Sequence, residues 1–196
     1  MPEPKKNLGK STTSSAKDWK KLLYTEERVT KWAKGEMSLA ELDGVSGPEM
    51  MEMAITGFSM YEQGRYREAR VIFDGLAALD PGESYYRTAL GAVFLAQEQL
   101  DQALAHFDHA LELNAKDIAA LVNRGEVRLR KGQLLEAAED FKRAVDLDPE
   151  NKDPLSLRAR ALAAAALETL EKRGLAENVL PVSGGDKAAK KPGPRK

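Results

Sequence analysis

Residues 119–149 read AALVNRGEVRLRKGQLLEAAEDFKRAVDLDP, and this stretch decides the fold of the chain. Its pattern predicts one helix over residues 119–131, a break at Gly132, a second helix over residues 134–147 and a stop at Asp148-Pro149. Proline cannot continue a helix, and glycine ends one at low cost. The stretch is therefore a helix-turn-helix unit.

The same unit recurs along the chain at an interval of 34 residues. Four columns of identical residues carry the repeat: Gly57, Gly91 and Gly125; Ala69, Ala103 and Ala137; Phe73, Phe107 and Phe141; Leu79, Leu113 and Leu147. We expect the glycines and alanines where paired helices touch most closely, and the phenylalanines between one repeat and the next. Because one unit cannot bury its apolar face alone, three units are predicted to stack as a solenoid.

The repeats define a domain over residues 46–174. The predicted repeats span residues 50–83, 84–117 and 118–151. Ser46-Gly47-Pro48-Glu49 is a capping box that starts the first repeat. A terminal helix over residues 154–172, with proline at its first position, is predicted to cap the last repeat.

The two ends of the chain differ from this domain in charge and composition. Residues 17–45 are predicted to form an amphipathic leader helix, over 17–33, and a linker. Residues 1–16 and 175–196 are basic, and we expect both to be disordered. Residues 35–171, by contrast, hold 14 Lys and Arg against 25 Asp and Glu.

The repeat columns resemble those of the tetratricopeptide repeat (TPR) family. The resemblance covers about residues 50–172 and implies an all-α, right-handed superhelical solenoid. Residues 61–79, YEQGRYREARVIFDGLAAL, and the run that follows over 85–91 are also similar to the class II chaperones of type III secretion, the SycD/LcrH type. That resemblance implies a chaperone that holds an extended segment of a hydrophobic translocator in a concave groove. The second repeat departs from the pattern at Glu98, which replaces glycine, and at Ala115, which replaces proline.

The outward positions of the first helix in each repeat predict a groove for an extended apolar segment of a partner protein. The candidate groove residues are Phe58, Tyr61, Tyr85, Thr88, Ala92, Leu95, Val122, Asn123, Glu126 and Leu129. Aromatic residues offer large contact areas, as binding hot spots do, and Asn123 is expected to hydrogen-bond to the partner's backbone. An alternative stays open, in which some of these residues pack under the leader helix or against a second copy of the chain.

A second apolar cluster lies in the leader helix. Its residues form a candidate docking or dimer surface: Trp19, Leu22, Leu23 and Trp32. They are expected either to dock on the chain's own repeats or to form a homodimer.

The sequence lacks the residues that several kinds of chemistry require. The chain has no cysteine, which excludes disulfides, zinc-thiolate sites and cysteine nucleophiles. His106 and His109 flank predicted core positions and are expected to face solvent, so no metal site, cofactor or enzymatic activity is predicted. The basic tail lacks interleaved aromatic residues and the body is acidic, which argues against specific nucleic-acid binding. No apolar run is long enough to span a membrane, and a cytoplasmic location is expected.

Two functions therefore remain. The first is a chaperone that holds an aggregation-prone client in the groove. The second is a scaffold or adaptor that joins folded partners in a larger assembly. A chaperone's client should be insoluble without it, whereas a scaffold's partners should be stable alone.

Overall fold

The computed structural model describes residues 24–150 and 152–172. Within those ranges every regular element is an α-helix, which confirms the predicted all-α class. The helices are α1 (Glu26–Ala33), α2 (Leu39–Asp43), α3 (Gly47–Glu62), α4 (Tyr66–Leu79), α5 (Ser84–Ala96), α6 (Leu100–Leu113), α7 (Ile118–Arg130), α8 (Leu134–Leu147) and α9 (Pro154–Lys172). The chain divides into two compact units, one up to Ala120 and one from Leu121 onward.

The helices α3 to α8 form the three predicted pairs. Ser46 begins the first pair with a complete capping box, because its hydroxyl accepts from the Glu49 amide while the Glu49 carboxylate accepts from the Ser46 amide. The turns inside the pairs place Gly64 and Gly132 in the left-handed region, at φ of 74° and 76°. Glu98 takes the same conformation in the second pair, at φ of 60°.

The glycine and phenylalanine columns pack against each other inside each helix pair. A Cβ atom added at Gly91 would lie 2.5 Å from the Phe107 ring, and one added at Gly125 would lie equally close to Phe141. The phenylalanines were predicted to lie between repeats, whereas these contacts lie inside one repeat. Each ring fills the space that the glycine of its own repeat leaves open.

In the first unit, Phe73 sits in a core that joins the first two repeats. The buried members of this cluster are Ala54, Ala69, Phe73, Leu76, Ala77, Tyr86, Leu90 and Val93. Burial of these side chains is the main source of stability for this unit, at roughly 1.5–3 kcal/mol for each large apolar group.

In the second unit, a buried ion cluster links α7 to α8. The Asp140 carboxylate accepts from Arg124 at 2.6 and 2.9 Å and from Arg128 at 2.7 Å, and its side chain is only 1% exposed. Charge-assisted bonds of this kind satisfy groups that would otherwise be costly to bury. The cluster therefore fixes the pairing of the two helices.

The leader differs from its prediction. Thr25 has an extended backbone, and its hydroxyl accepts from the Arg28 amide to begin α1. Within the described part of the predicted helix over 17–33, the helix thus begins only at Glu26, and residues 17–23 lie outside the described residues. The linker contains a further helix, α2, which the prediction missed, although Ser38 and Glu41 form a capping box at its start.

His106 is half-buried, whereas it was predicted to face solvent. Its imidazole stacks on the buried Phe94 ring, with centroids 5.0 Å apart and planes 14° apart, and the Arg70 guanidinium lies 4.8 Å from the centroid of the same ring. Burial, followed by the positive charge of Arg87, holds the pKa of His106 below its ordinary value. The helical periodicity of the sequence does not reveal this contact with Phe94, which covers part of the side chain.

Candidate functional site

An apolar stripe runs along the outward side of α3. Met51 and Ile55 are each 61% exposed, and Phe58 is 47% exposed. The three residues are four and three positions apart, so they share one helix face, while Ala54 and Gly57 are buried beside it. Large apolar groups exposed in a contiguous row are typical of interaction surfaces. Ile55 was not among the predicted groove residues, although its spacing from Phe58 points to it.

Aromatic rings also lie on α3 and at the start of α5. Tyr61 lies 6.3 Å from Phe58 and 5.7 Å from Tyr66, as measured between ring centroids. Tyr85, 44% exposed, lies 6.2 Å from the buried Phe73 ring in an edge arrangement. Partial burial raises the pKa of Tyr85 above its ordinary value. Ring contacts hold both predicted tyrosines, but only Tyr85 is exposed, whereas Tyr61 is half-buried.

Two other predicted groove residues of the first unit are buried instead. Thr88 donates its hydroxyl to Asp117 at 2.7 Å, and the other oxygen of Asp117 accepts from the Ala120 amide at 2.9 Å. Thr88 thus ties α5 to the first turn of α7. Leu95 is buried, and Ala92 is half-buried. Thr88 and Leu95 therefore have structural contacts where surface positions were predicted.

The predicted groove residues of the second unit are mostly covered. Val122 is fully buried, and Asn123 and Leu129 are half-buried. Glu126 accepts from Arg130 of its own helix at 2.8 Å and from Arg158 of α9. Of the predicted groove residues on this unit, none is an exposed apolar side chain, in contrast to Phe58 on α3.

Of the four residues in the predicted dimer surface, the structure describes only Trp32. Trp32 is 45% exposed on α1, whereas Trp19, Leu22 and Leu23 lie outside the described residues. Arg28 holds α1 against the end of α2 by donating to the Glu41 and Leu42 carbonyls.

Within the part of the chain that the structure describes, no group of three or more His, Asp or Glu side chains is arranged to hold a metal ion. Among the helices of that part, none is long and apolar enough to cross a membrane.

Comparison with known proteins identifies the repeats. The family model described as the tetratricopeptide repeat matches residues 59–118 and 88–152. The matched region begins within α3, after Gly57, and ends after α8. It therefore takes in the second and third helix pairs, α4 and the end of α3. The chain contains tetratricopeptide repeats.

Two relatives, one of them in two solved structures, show which class of repeat protein the chain resembles. The low calcium response locus protein H of Yersinia pseudotuberculosis is 29% identical over 135 residues, which are 67% of this chain and 80% of that protein. The Yersinia enterocolitica type III secretion translocator chaperone SycD, in a structure described as an alternative dimer, is 27% identical, with a TM-score of 0.59 over 65% of this chain and 97% of SycD. SycD in complex with a peptide of the translocator YopD is 26% identical, with a TM-score of 0.57 over 65% of this chain and 98% of SycD. The chain is homologous to type III secretion translocator chaperones of the LcrH/SycD type.

Proposed function

We propose that this protein is a secretion-type chaperone that binds an extended apolar segment of a partner protein. The observation that carries the proposal is the exposure of large apolar side chains on the first helices of the first two repeats, namely Met51, Ile55 and Phe58 on α3 and Tyr85 on α5. Its homologue SycD has been crystallised with a peptide of a translocator. A client of this kind is an apolar protein that must be kept from aggregating before export. We therefore propose that the protein acts in the cytoplasm.

The contact is proposed to lie on the outward side of the first helices of the repeats. Phe58, Tyr61 and Tyr85 would supply the main apolar anchors, because aromatic residues contribute most where water is excluded around them. Asn123 and Leu129 are half-buried and would contribute less area.

The experiment compares the partners captured from the native host by two variants of the full chain. The first is Phe58→Ala with Tyr85→Ala, which leaves Tyr61 intact because it packs against the core. The control is Val71→Ala with Leu135→Ala, since these residues are exposed on the second helices of their repeats. Circular dichroism confirms that both variants are folded.

We expect the first variant to lose one partner that is insoluble when expressed alone, and the control to retain it. Retention of several partners that are soluble alone would make the protein a scaffold. The function would then reside elsewhere on the chain.

The proposal includes self-association through the leader, as the exposed Trp32 and the dimeric description of SycD suggest. Light scattering of the wild type and of Trp32→Ala tests it. A monomeric wild type would contradict this part of the proposal and leave partner binding untouched.

A further inference from the structure

The apolar stripe of α3, formed by Met51, Ile55 and Phe58, ends at a carboxylate. Glu62 follows Phe58 by four residues, and the spacings of four, three and four along the set place all four side chains on one face of the helix. All four are exposed. At 1.5 Å per residue, the set is about 16 Å long, and Glu62 lies about 6 Å along the helix from Phe58. The face thus combines three apolar side chains with a negative charge at its C-terminal end.

The Glu62 carboxylate is unpaired. Within the described residues, it takes part in no hydrogen bond or ion pair. Arg65, the basic residue nearest to it in the sequence, donates instead to Glu68 at 3.2 Å. Glu62 is also the last residue of α3, and no basic residue lies in the last turn of this helix. Because the C-terminal end of a helix carries a partial negative charge, it adds to the field of the carboxylate. A cation is therefore attracted to this end of the stripe.

The neighbouring sequence reinforces this negative charge. Residues 35–64, which include α2 and α3, hold six Asp and Glu and no Lys or Arg. Glu52 lies three residues before Ile55 and borders the stripe. It is exposed and, like Glu62, its carboxylate has no partner among the described residues. Three of the other carboxylates already accept hydrogen bonds within the chain: Glu41, Asp43 and Glu49. The two that border the stripe are thus the ones left to interact with a partner.

We propose that the partner segment presents a Lys or Arg side chain to Glu62, next to apolar residues that contact Met51, Ile55 and Phe58. The inference rests on the proposed function and names the chemistry of the segment that this function requires. For an extended segment that runs along α3, the spacing of about 6 Å between Phe58 and Glu62 corresponds to about two residues. The cation is therefore expected about two positions from an apolar residue. Complementary charge of this kind discriminates between segments that are equally apolar.

The test is the selection of random peptides, displayed on phage, by immobilised full-length protein. Wild type, Glu62→Gln and Glu62→Lys are compared with the control Glu112→Gln. Glu112 is a matched control because it is also exposed, lies in the last turn of its helix, α6, and has no partner among the described residues. We expect the wild type and the control to select apolar peptides enriched in Lys or Arg. Glu62→Gln should select apolar peptides without that enrichment, and Glu62→Lys should select apolar peptides enriched in Asp or Glu.

A selected peptide and its counterpart with Gln in place of the Lys or Arg then give the magnitude. The cationic peptide should bind the wild type about fivefold more tightly, the effect of a partly exposed ion pair, and bind Glu62→Gln no better than its neutral counterpart. The difference should shrink at high salt. Apolar peptides without a preference for Lys or Arg, or a preference that survives in Glu62→Gln, would overturn the inference and leave the proposed function standing. Failure to select any apolar peptide would overturn both.

Two other occupants of this face are distinguished with the same proteins. Residues 1–23 of the chain itself contain six lysines. If they occupied the face, changing these lysines to glutamine in the full chain would raise the affinity for the cationic peptide, and Glu62→Gln would abolish that gain. If a second copy occupied it, light scattering would show a dimer for the wild type and a monomer for Glu62→Lys. Either result would overturn the inference. We expect an unchanged peptide affinity and equal molar masses.

Discussion

At the scale of single residues, the close contact between Gly91 and the Phe107 ring allows a direct test of how the helices of a pair pack together. An added Cβ atom would lie 2.5 to 2.8 Å from three atoms of the ring, so Gly91→Ala must displace a side chain that is fully buried. We expect the free energy of unfolding, measured in urea, to fall by about 1–3 kcal/mol.

Gly75→Ala is the matched control for this substitution. Gly75 also lies inside a helix, α4, but an added Cβ atom there meets nothing within 4 Å. Alanine should therefore raise stability by about 0.5–1 kcal/mol. Equal effects of the two substitutions would mean that helix propensity, and not the phenylalanine contact, decides the glycine column.

His106 should make stability depend on pH. Its pKa is lowered in the folded protein, first by burial and then by Arg87, with smaller contributions from His109 and Arg70 and an opposing one from Asp74. The unfolded chain therefore binds a proton that the folded chain resists, and the free energy of unfolding falls as the pH drops below about 6.5.

The measurement compares urea unfolding at about pH 7.5 and about pH 5.5. His106→Gln should lose less stability than the wild type between these two values, because the substituted side chain does not titrate. A wild-type pH dependence that persists in His106→Gln would contradict this assignment.

At the scale of elements, the turn between α5 and α6 contains a built-in strain. Glu98 has a positive φ of 60°, where the other two repeats have glycine, and a left-handed conformation is costly for a residue with a Cβ atom. Glu98→Gly should raise the free energy of unfolding by about 1 kcal/mol. Glu98→Ala keeps the strain while removing the side chain, so a similar gain from alanine would locate the effect in side-chain contacts and contradict the argument.

The helix pairs could be predicted from the sequence because their signals are local and periodic. Residues 134–147 were predicted as a helix and form α8, and α7 begins one residue earlier than predicted. The helix α2 was missed although Ser38 and Glu41 carry a capping-box spacing, because a five-residue helix has little periodicity to detect. The beginning of α1 at Glu26 was missed because apolar spacing continues across it.

The candidate site was harder to predict than the helices. The helical periodicity of a sequence gives the direction of a side chain only to within part of a turn. An error of that size decides whether a predicted groove residue is exposed, as Phe58 is, or buried, as Thr88 is. The buried Thr88 donates a hydrogen bond to Asp117, which is 29 residues away, and the sequence around Thr88 contains no signal for this contact. The pair of Arg130 and Arg158 on Glu126 depends in the same way on α9 meeting α7.

At the scale of the whole molecule, partner binding and stability should be coupled. A segment that binds only the folded protein stabilises it by about 2.7 kcal/mol when its free concentration is 100 times Kd. For a chain of this length, that corresponds to a rise in Tm of roughly 5–10 °C. The rise should follow the affinity, so Phe58→Ala with Tyr85→Ala should require more segment to reach the same Tm.

This coupling distinguishes a partner that binds to the helix pairs from one that binds to the basic ends of the chain. Residues 1–23 and 173–196 each carry a net charge of +4, and an acidic partner attracted to them need not bind the folded repeats at all. Binding there would weaken steeply with salt and leave Tm unchanged. Thermal unfolding of the complex, followed by circular dichroism at low and high salt, distinguishes the two cases. We expect a rise in Tm that survives high salt, because burial of Phe58 and Tyr85 against an apolar segment does not depend on charge. A complex that forms without any rise in Tm would contradict binding at the helix pairs.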